Sequence, residues 1–99
     1  MDTLLFEQDS PLTAEERYLA ISQMFRDNQI LIVEFRKKNG ELRTMECTLD
    51  SKLLPPADAE ELHQTRIIDW ETKSVWDMEK TAWRSFKTMN VISVKVKDD

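Results

Sequence analysis

Residues 30–49, ILIVEFRKKNGELRTMECTL, constrain this chain more than any other stretch. Ile30 to Lys37 is rich in β-branched and aromatic residues, and Leu31, Val33 and Phe35 fall on one face of a strand. Asn39-Gly40 follows, the strongest short hairpin signal, because a type I′ turn needs positive φ at both central positions. Glu41 to Leu49 then returns with Met45, Cys47 and Leu49 on one face. The spacing predicts a β-hairpin, and a hairpin with one apolar face requires further strands or a helix to cover it.

The rest of the chain supplies both. Thr13 and Glu16 have capping-box spacing, and Ser10-Pro11 offers a second helix start. Tyr18, Ile21, Met24 and Phe25 recur at helical spacing. A helix is expected over residues 13–28 with Glu15, Glu16, Arg17, Arg26 and Asp27 on its polar side, preceded by a loose arm over residues 1–12. Residues 50–65, DSKLLPPADAEELHQT, read as a loop, since Pro55-Pro56 cannot donate to a sheet. A short helical turn is expected at residues 57–62. Strand character resumes near Arg66 to Trp70, at Ser74 to Met78, at Ala82 to Lys87 and at Val91 to Lys97. In the last of these Ile92, Val94 and Val96 are expected on the apolar side. Val33, Phe35, Trp76, Ile92 and Val94 form the expected core.

One helix followed by about five short antiparallel strands leaves an apolar sheet face exposed unless the sheet curls. The expected fold is therefore mainly β with an N-terminal helix, a small SH3-like or Sm-like antiparallel barrel over residues 29–99, in one domain overall. With a single Gly in 99 residues, some corners must be turned by Asn, Asp or Ser.

The pieces Lys38-Asn-Gly-Glu-Leu-Arg43, Cys47-Thr48-Leu49, Val75-Trp76-Asp77, Trp83-Arg84-Ser85-Phe86 and Val91-Ile92 occur in an order that resembles a family of small phage-encoded, WYL-related proteins of unassigned function. The resemblance spans about residues 30–96. It implies an Sm-like or SH3-like barrel and a phage setting, hence the host cytoplasm. Larger WYL-domain proteins are regulators whose barrels sense nucleotide or nucleic-acid ligands. This chain lacks the Trp-Tyr-Leu tripeptide and the helix-turn-helix domain of that group.

Charge narrows the function. The net charge is −5, which disfavours a general phosphate-backbone binder and suits a partner with a basic surface. The longest apolar run, residues 30–33, is too short to cross a membrane. His63 is the only histidine and Cys47 the only cysteine. One His in a Pro-flanked loop is too few ligands for a metal. Cys47 on an apolar strand face reads as an inert thiol, so the only nucleophile–base pair, Cys47 with His63, is not expected to act. No Gly-rich phosphate loop is present. No enzyme, metal or cofactor is expected.

The expected activity is a non-catalytic phage accessory protein that binds a host protein, in host takeover or counter-defence. Acids concentrate from Glu7 to Glu16 and from Asp58 to Glu61. Phe6, beside Leu4 and Leu5, is the expected apolar anchor, and Glu60 and Glu61 are expected to steer a basic partner. The alternative is a nucleic-acid or nucleotide-binding module using the barrel face around Arg43 and Arg84, with Trp83 as a stacking surface. Arg36, Lys37 and Lys38 cluster near it, and Lys95 and Lys97 form a second basic pair. Against that alternative, each arginine can pair with a local acid such as Glu41, Asp77 or Glu79, and the tryptophans can serve the core.

Overall fold

A computed structural model describes residues 3–54 and 68–97. The elements in chain order are β1 (Thr3–Glu7), α1 (Ala14–Asp27), β2 (Leu31–Arg36), β3 (Leu42–Thr48), β4 (Thr72–Asp77), β5 (Ala82–Lys87), a 3-10 turn (Thr88–Asn90) and β6 (Val91–Val96). The strands form one six-stranded antiparallel sheet in the order β1-β6-β2-β3-β4-β5.

The helix starts where its cap dictates. Thr13 Oγ1 accepts from the Glu16 N–H at 3.2 Å, and the Glu16 carboxylate accepts from the Thr13 N–H at 3.0 Å. Both backbone donors are satisfied reciprocally, and those bonds hold the Glu16 carboxyl below its usual range. The helix stops at Asn28, whose backbone turns extended and whose Nδ2 donates to the Met24 carbonyl. Ile21 and Phe25 are its buried apolar residues. They join a core of Leu31, Val33, Phe35, Met45, Cys47, Val75, Phe86, Val91 and Val94.

The N-terminal arm departs from expectation. Residues 3–7 are a strand, paired with β6. Leu5 is the extra residue of a bulge between Leu4 and Phe6, which turns Phe6 inward opposite Val94. Phe6 is 7% exposed and is therefore a core residue, not an anchor for a partner. Arg17 explains why the strand stays down. Its guanidinium lies 5.1 Å from the Phe6 ring centroid. Nε donates to the Leu12 carbonyl, and Nη2 donates to the carbonyls of Gln8 and Ser10. Arg17 was expected on the polar face of the helix, but it is buried and clamps the β1–α1 connection.

The hairpin is present, with β2 and β3 in register from Leu31↔Cys47 to Arg36↔Leu42. Its turn is not type I′. Gly40 alone in the turn has positive φ, 89°. The Gly40 N–H donates to the Lys37 carbonyl and the Lys37 N–H to the Glu41 carbonyl. This is a three-residue loop closed by a left-handed glycine. The second tight corner, between β4 and β5, uses Thr81 at φ 49° in place of glycine.

The last strand also shifts. Val33 faces Val94 and Phe35 faces Val91, which leaves Ile92 as an inserted residue. Val91 and Val94 are buried, and Ile92 and Val96 are only half-buried. Trp76 is likewise half-buried, because it alternates with Val75 and Asp77, which point inward. The expected helical turn at 57–62, His63 and the expected strand start at Arg66 lie outside the described residues. Residues 68–71 are not part of a strand.

A Cβ on Gly40 would meet nothing within 4 Å, so backbone angle alone sets its tolerance. Gly40→Val is expected to lower stability by about 1–2 kcal/mol, and Gly40→Asn by less than about 1 kcal/mol, because Asn enters the left-handed region more readily. Chemical denaturation of the two variants checks the order.

Candidate functional site

The period of two along each strand builds the site. Arg43 shares a sheet face with Met45 and Cys47, and Arg84 sits directly opposite Val75. Both arginines therefore lie on the inward face, at the end of the sheet where the core stops. Phe35 and Phe86 close the core there, with ring centroids 5.5 Å apart. Beyond them opens a groove of about 650 Å³, in the range of small-ligand sites. Its cationic lining is Arg36, Lys37, Lys38, Arg43, Arg84 and Lys87. No Asp or Glu lines it among the described residues.

Two of the six cations are committed. Arg43 Nη2 lies 2.8 Å from Asp77 Oδ2, and Lys37 Nζ lies 3.9 Å from the Glu41 carboxylate. Arg36 donates to the Gly40 carbonyl, and Lys87 donates to Thr72 Oγ1. Lys38, from the β2–β3 turn, and Arg84, from β5, make no ion pair among the described residues. Asn39 and Asn90 add amide groups to the rim, and Asn90 Nδ2 donates to the Arg36 carbonyl. The chemistry offered is a set of N–H forks and ammonium groups around a floor of Phe35 and Phe86, suited to phosphate oxygens.

Asp77 organises this end. It is 1% exposed. One oxygen accepts from Arg43, and the other accepts from the N–H groups of Glu79 and Lys80, which forms the β4–β5 corner.

The other sequence candidates are placed differently. Trp83 is paired with Trp76, centroids 5.6 Å apart at 82°, on the opposite sheet face from Arg43 and Arg84. It is half-buried and does not line the groove, so the expected Arg43–Trp83–Arg84 face is split by the strand period. Glu60 and Glu61 lie outside the described residues. Cys47 is buried, and burial pushes its thiol far up, as suits a core residue. Lys97 pairs with Glu46 at 3.1 Å and is not part of the groove.

Lys73 escaped the sequence reading. The alternation in Thr72–Asp77, TKSVWD, was the available signal, for it puts a lysine on the face of Val75 and Asp77. Among the described residues no cluster of three His, Cys, Asp or Glu is placed to hold a metal, and no helix is long and apolar enough to cross a membrane.

A family model described as WYL_2, Sm-like SH3 beta-barrel fold, matches residues 21–92. The chain is also 32% identical, over 87 residues, to the uncharacterized 11.5 kDa protein in the Gp31–cd intergenic region of Enterobacteria phage T4. That match covers 84% of each chain. No solved structure matches.

Asp77→Ala is expected to cost about 3–5 kcal/mol, since it strands the partly buried Arg43 and undoes the corner. Asp77→Asn keeps the corner acceptor and is expected to cost about half as much by the same argument. Thermal unfolding of both variants measures the difference.

Proposed function

This chain belongs to the WYL_2 family of Sm-like SH3 β-barrel fold, and on that premise we propose that it is a non-catalytic phage accessory protein that binds nucleic acid or nucleotide phosphates in the host cytoplasm. The observation that carries this reading is the groove around Arg43 and Arg84, with six cations and no lining carboxylate among the described residues. Such segregation in a chain of net charge −5 is costly by self-repulsion unless an anion uses it. The burial of Phe6 weakens the competing anchor at the N-terminal strand. The groove offers phosphate contacts and no exposed aromatic ring for stacking, since Phe35 and Phe86 are buried. Binding is therefore expected to depend little on base sequence.

A second reading rests on the same segregation. Of the 13 described Lys and Arg, six line the groove, which leaves seven against 13 Asp and Glu elsewhere among the described residues. Leu4 and Leu5 are also exposed on the edge strand β1. An acidic surface with apolar residues on a sheet edge suits a basic host protein, in host takeover or counter-defence.

Affinity purification from host lysate, with and without nuclease, separates the two. Nucleic acid that copurifies and is lost on digestion supports the first reading. A protein partner that survives nuclease, with no nucleic acid, supports the second. For a bound single strand, engagement of the four cations without ion pairs predicts a slope near −3 in log affinity against log salt, from about 0.7 per phosphate. Arg84→Glu with Lys38→Glu is expected to weaken such binding at least about tenfold at low salt. Affinity unchanged in that double variant would remove the groove from the mechanism.

A further inference from the structure

Lys73 lies outside the groove and has an environment of its own. It is 8% exposed and projects from β4 against the helix. Its Nζ sits 2.9 Å from Ser22 Oγ and 4.4 Å from the Tyr18 ring centroid. Tyr18 is held in turn by an edge-on contact with Trp70, centroids 5.3 Å apart. Buried lysines normally sit beside a carboxylate. Here the described residues give the amine a hydroxyl and a ring face instead.

Lys73 also lines an open space. A pocket of about 500 Å³ is lined by Lys73, Tyr18, Ser22 and Phe25, with Asn28 and Leu49 among its other walls. The charged groups around it are Arg26 and Asp27 from the helix end and Asp50 after β3, and Tyr18 is the remaining titratable group. Burial, and then the like charge of Arg26, lower the Lys73 amine to about 8. An amine lowered in this direction keeps more of its neutral form near neutral pH than an exposed lysine does. A neutral, desolvated amine is the nucleophilic form.

We propose that this pocket is a binding site for a small aldehyde, which Lys73 Nζ captures reversibly as an imine. The nitrogen lone pair adds to the carbonyl carbon, and a proton from nitrogen ends on the carbonyl oxygen. The carbinolamine then loses its hydroxyl with a second proton as water, which leaves the C=N bond. One water is released, and no oxidant or reductant is consumed. The Tyr18 ring face, which already carries the ammonium, suits the protonated imine as well. This site is independent of the groove and of what the groove binds.

The test uses the full chain, with acetaldehyde as the probe and sodium cyanoborohydride to trap the imine at pH 7.5, followed by peptide mapping. Lys73 is expected to be alkylated at least about tenfold faster than the exposed Lys38, Lys80 and Lys95, despite its burial. The preference is expected to vanish in urea. Labelling of Lys73 at or below the rate of the exposed lysines overturns the proposal, and so does a preference that persists in the unfolded chain. Lys73→Arg, checked for folding by its thermal transition, is expected to remove the fast-reacting site and leave the other rates unchanged. The map of the unsubstituted protein decides the matter even if that variant does not fold.

Discussion

The sheet is joined through one buried carboxylate. Four strands, β1, β6, β2 and β3, are knit by long registers, and β4 with β5 forms a second ribbon. Between the two, β3 and β4 share only the pairs Cys47↔Asp77 and Thr48↔Trp76. Asp77 stands at that seam. It ties β3 through Arg43 and fixes the β4–β5 corner through two backbone N–H groups. A carboxylate this buried is tolerated because its hydrogen-bonding capacity is used and a cation sits beside it. The Met78 N–H, which donates to the Glu46 carbonyl, extends the seam by one bond. Since Arg43 and Arg84 hang from the two ribbons, the spacing of the groove walls follows from this joint.

Charge is sorted by the fold more than by the sequence. Arg17 is buried against Phe6 and backbone carbonyls, and Arg43 is half-committed to Asp77. Lys73 is withdrawn under the helix, while Lys38 and Arg84 reach solvent. Three buried or half-buried cations thus hold structure, while the exposed Arg36, Lys37, Lys38, Arg84 and Lys87 gather at one end of the sheet. A chain of negative net charge can present a positive concavity in this way, because field depends on local arrangement and not on the total.

Much of this was legible. The capping box at Thr13 and Glu16, the β2–β3 hairpin and the inward parity of Val33 and Phe35 follow from spacing alone. The misses have specific causes. β1 is five residues long and carries a bulge at Leu5, so its alternation is broken. A second bulge at Ile92 shifts the buried set to Val91 and Val94. Periodicity cannot show where an extra residue is inserted. The Asn39-Gly40 pair marks a turn but does not choose its type, which depends on where the flanking strands stop pairing. At the site, Arg43 and Arg84 could be named from parity. Trp83 was misplaced beside its neighbour Arg84, although adjacent residues on a strand point to opposite faces. Arg17 and Lys73 were hidden because their burial depends on contacts from distant segments: Phe6 and the β1–α1 turn for one, Ser22 and Tyr18 for the other.

The pairing of β1 with β6 has a consequence for the order of events during synthesis. Thr3 meets Val96, 93 positions later in the chain. β2 also needs β6, since Leu31 faces the same Val96. At 5–20 residues per second, β1 therefore waits for roughly 5–20 s before its partner exists. During that interval Thr3 to Glu7 have no strand to pair with and Phe6 is uncovered, although the helix and the β2–β3 hairpin can already form. Contacts so distant in sequence are slow to close. Until β6 has emerged, the growing chain thus leaves Phe6 open to a chaperone or another chain, although the finished fold buries it.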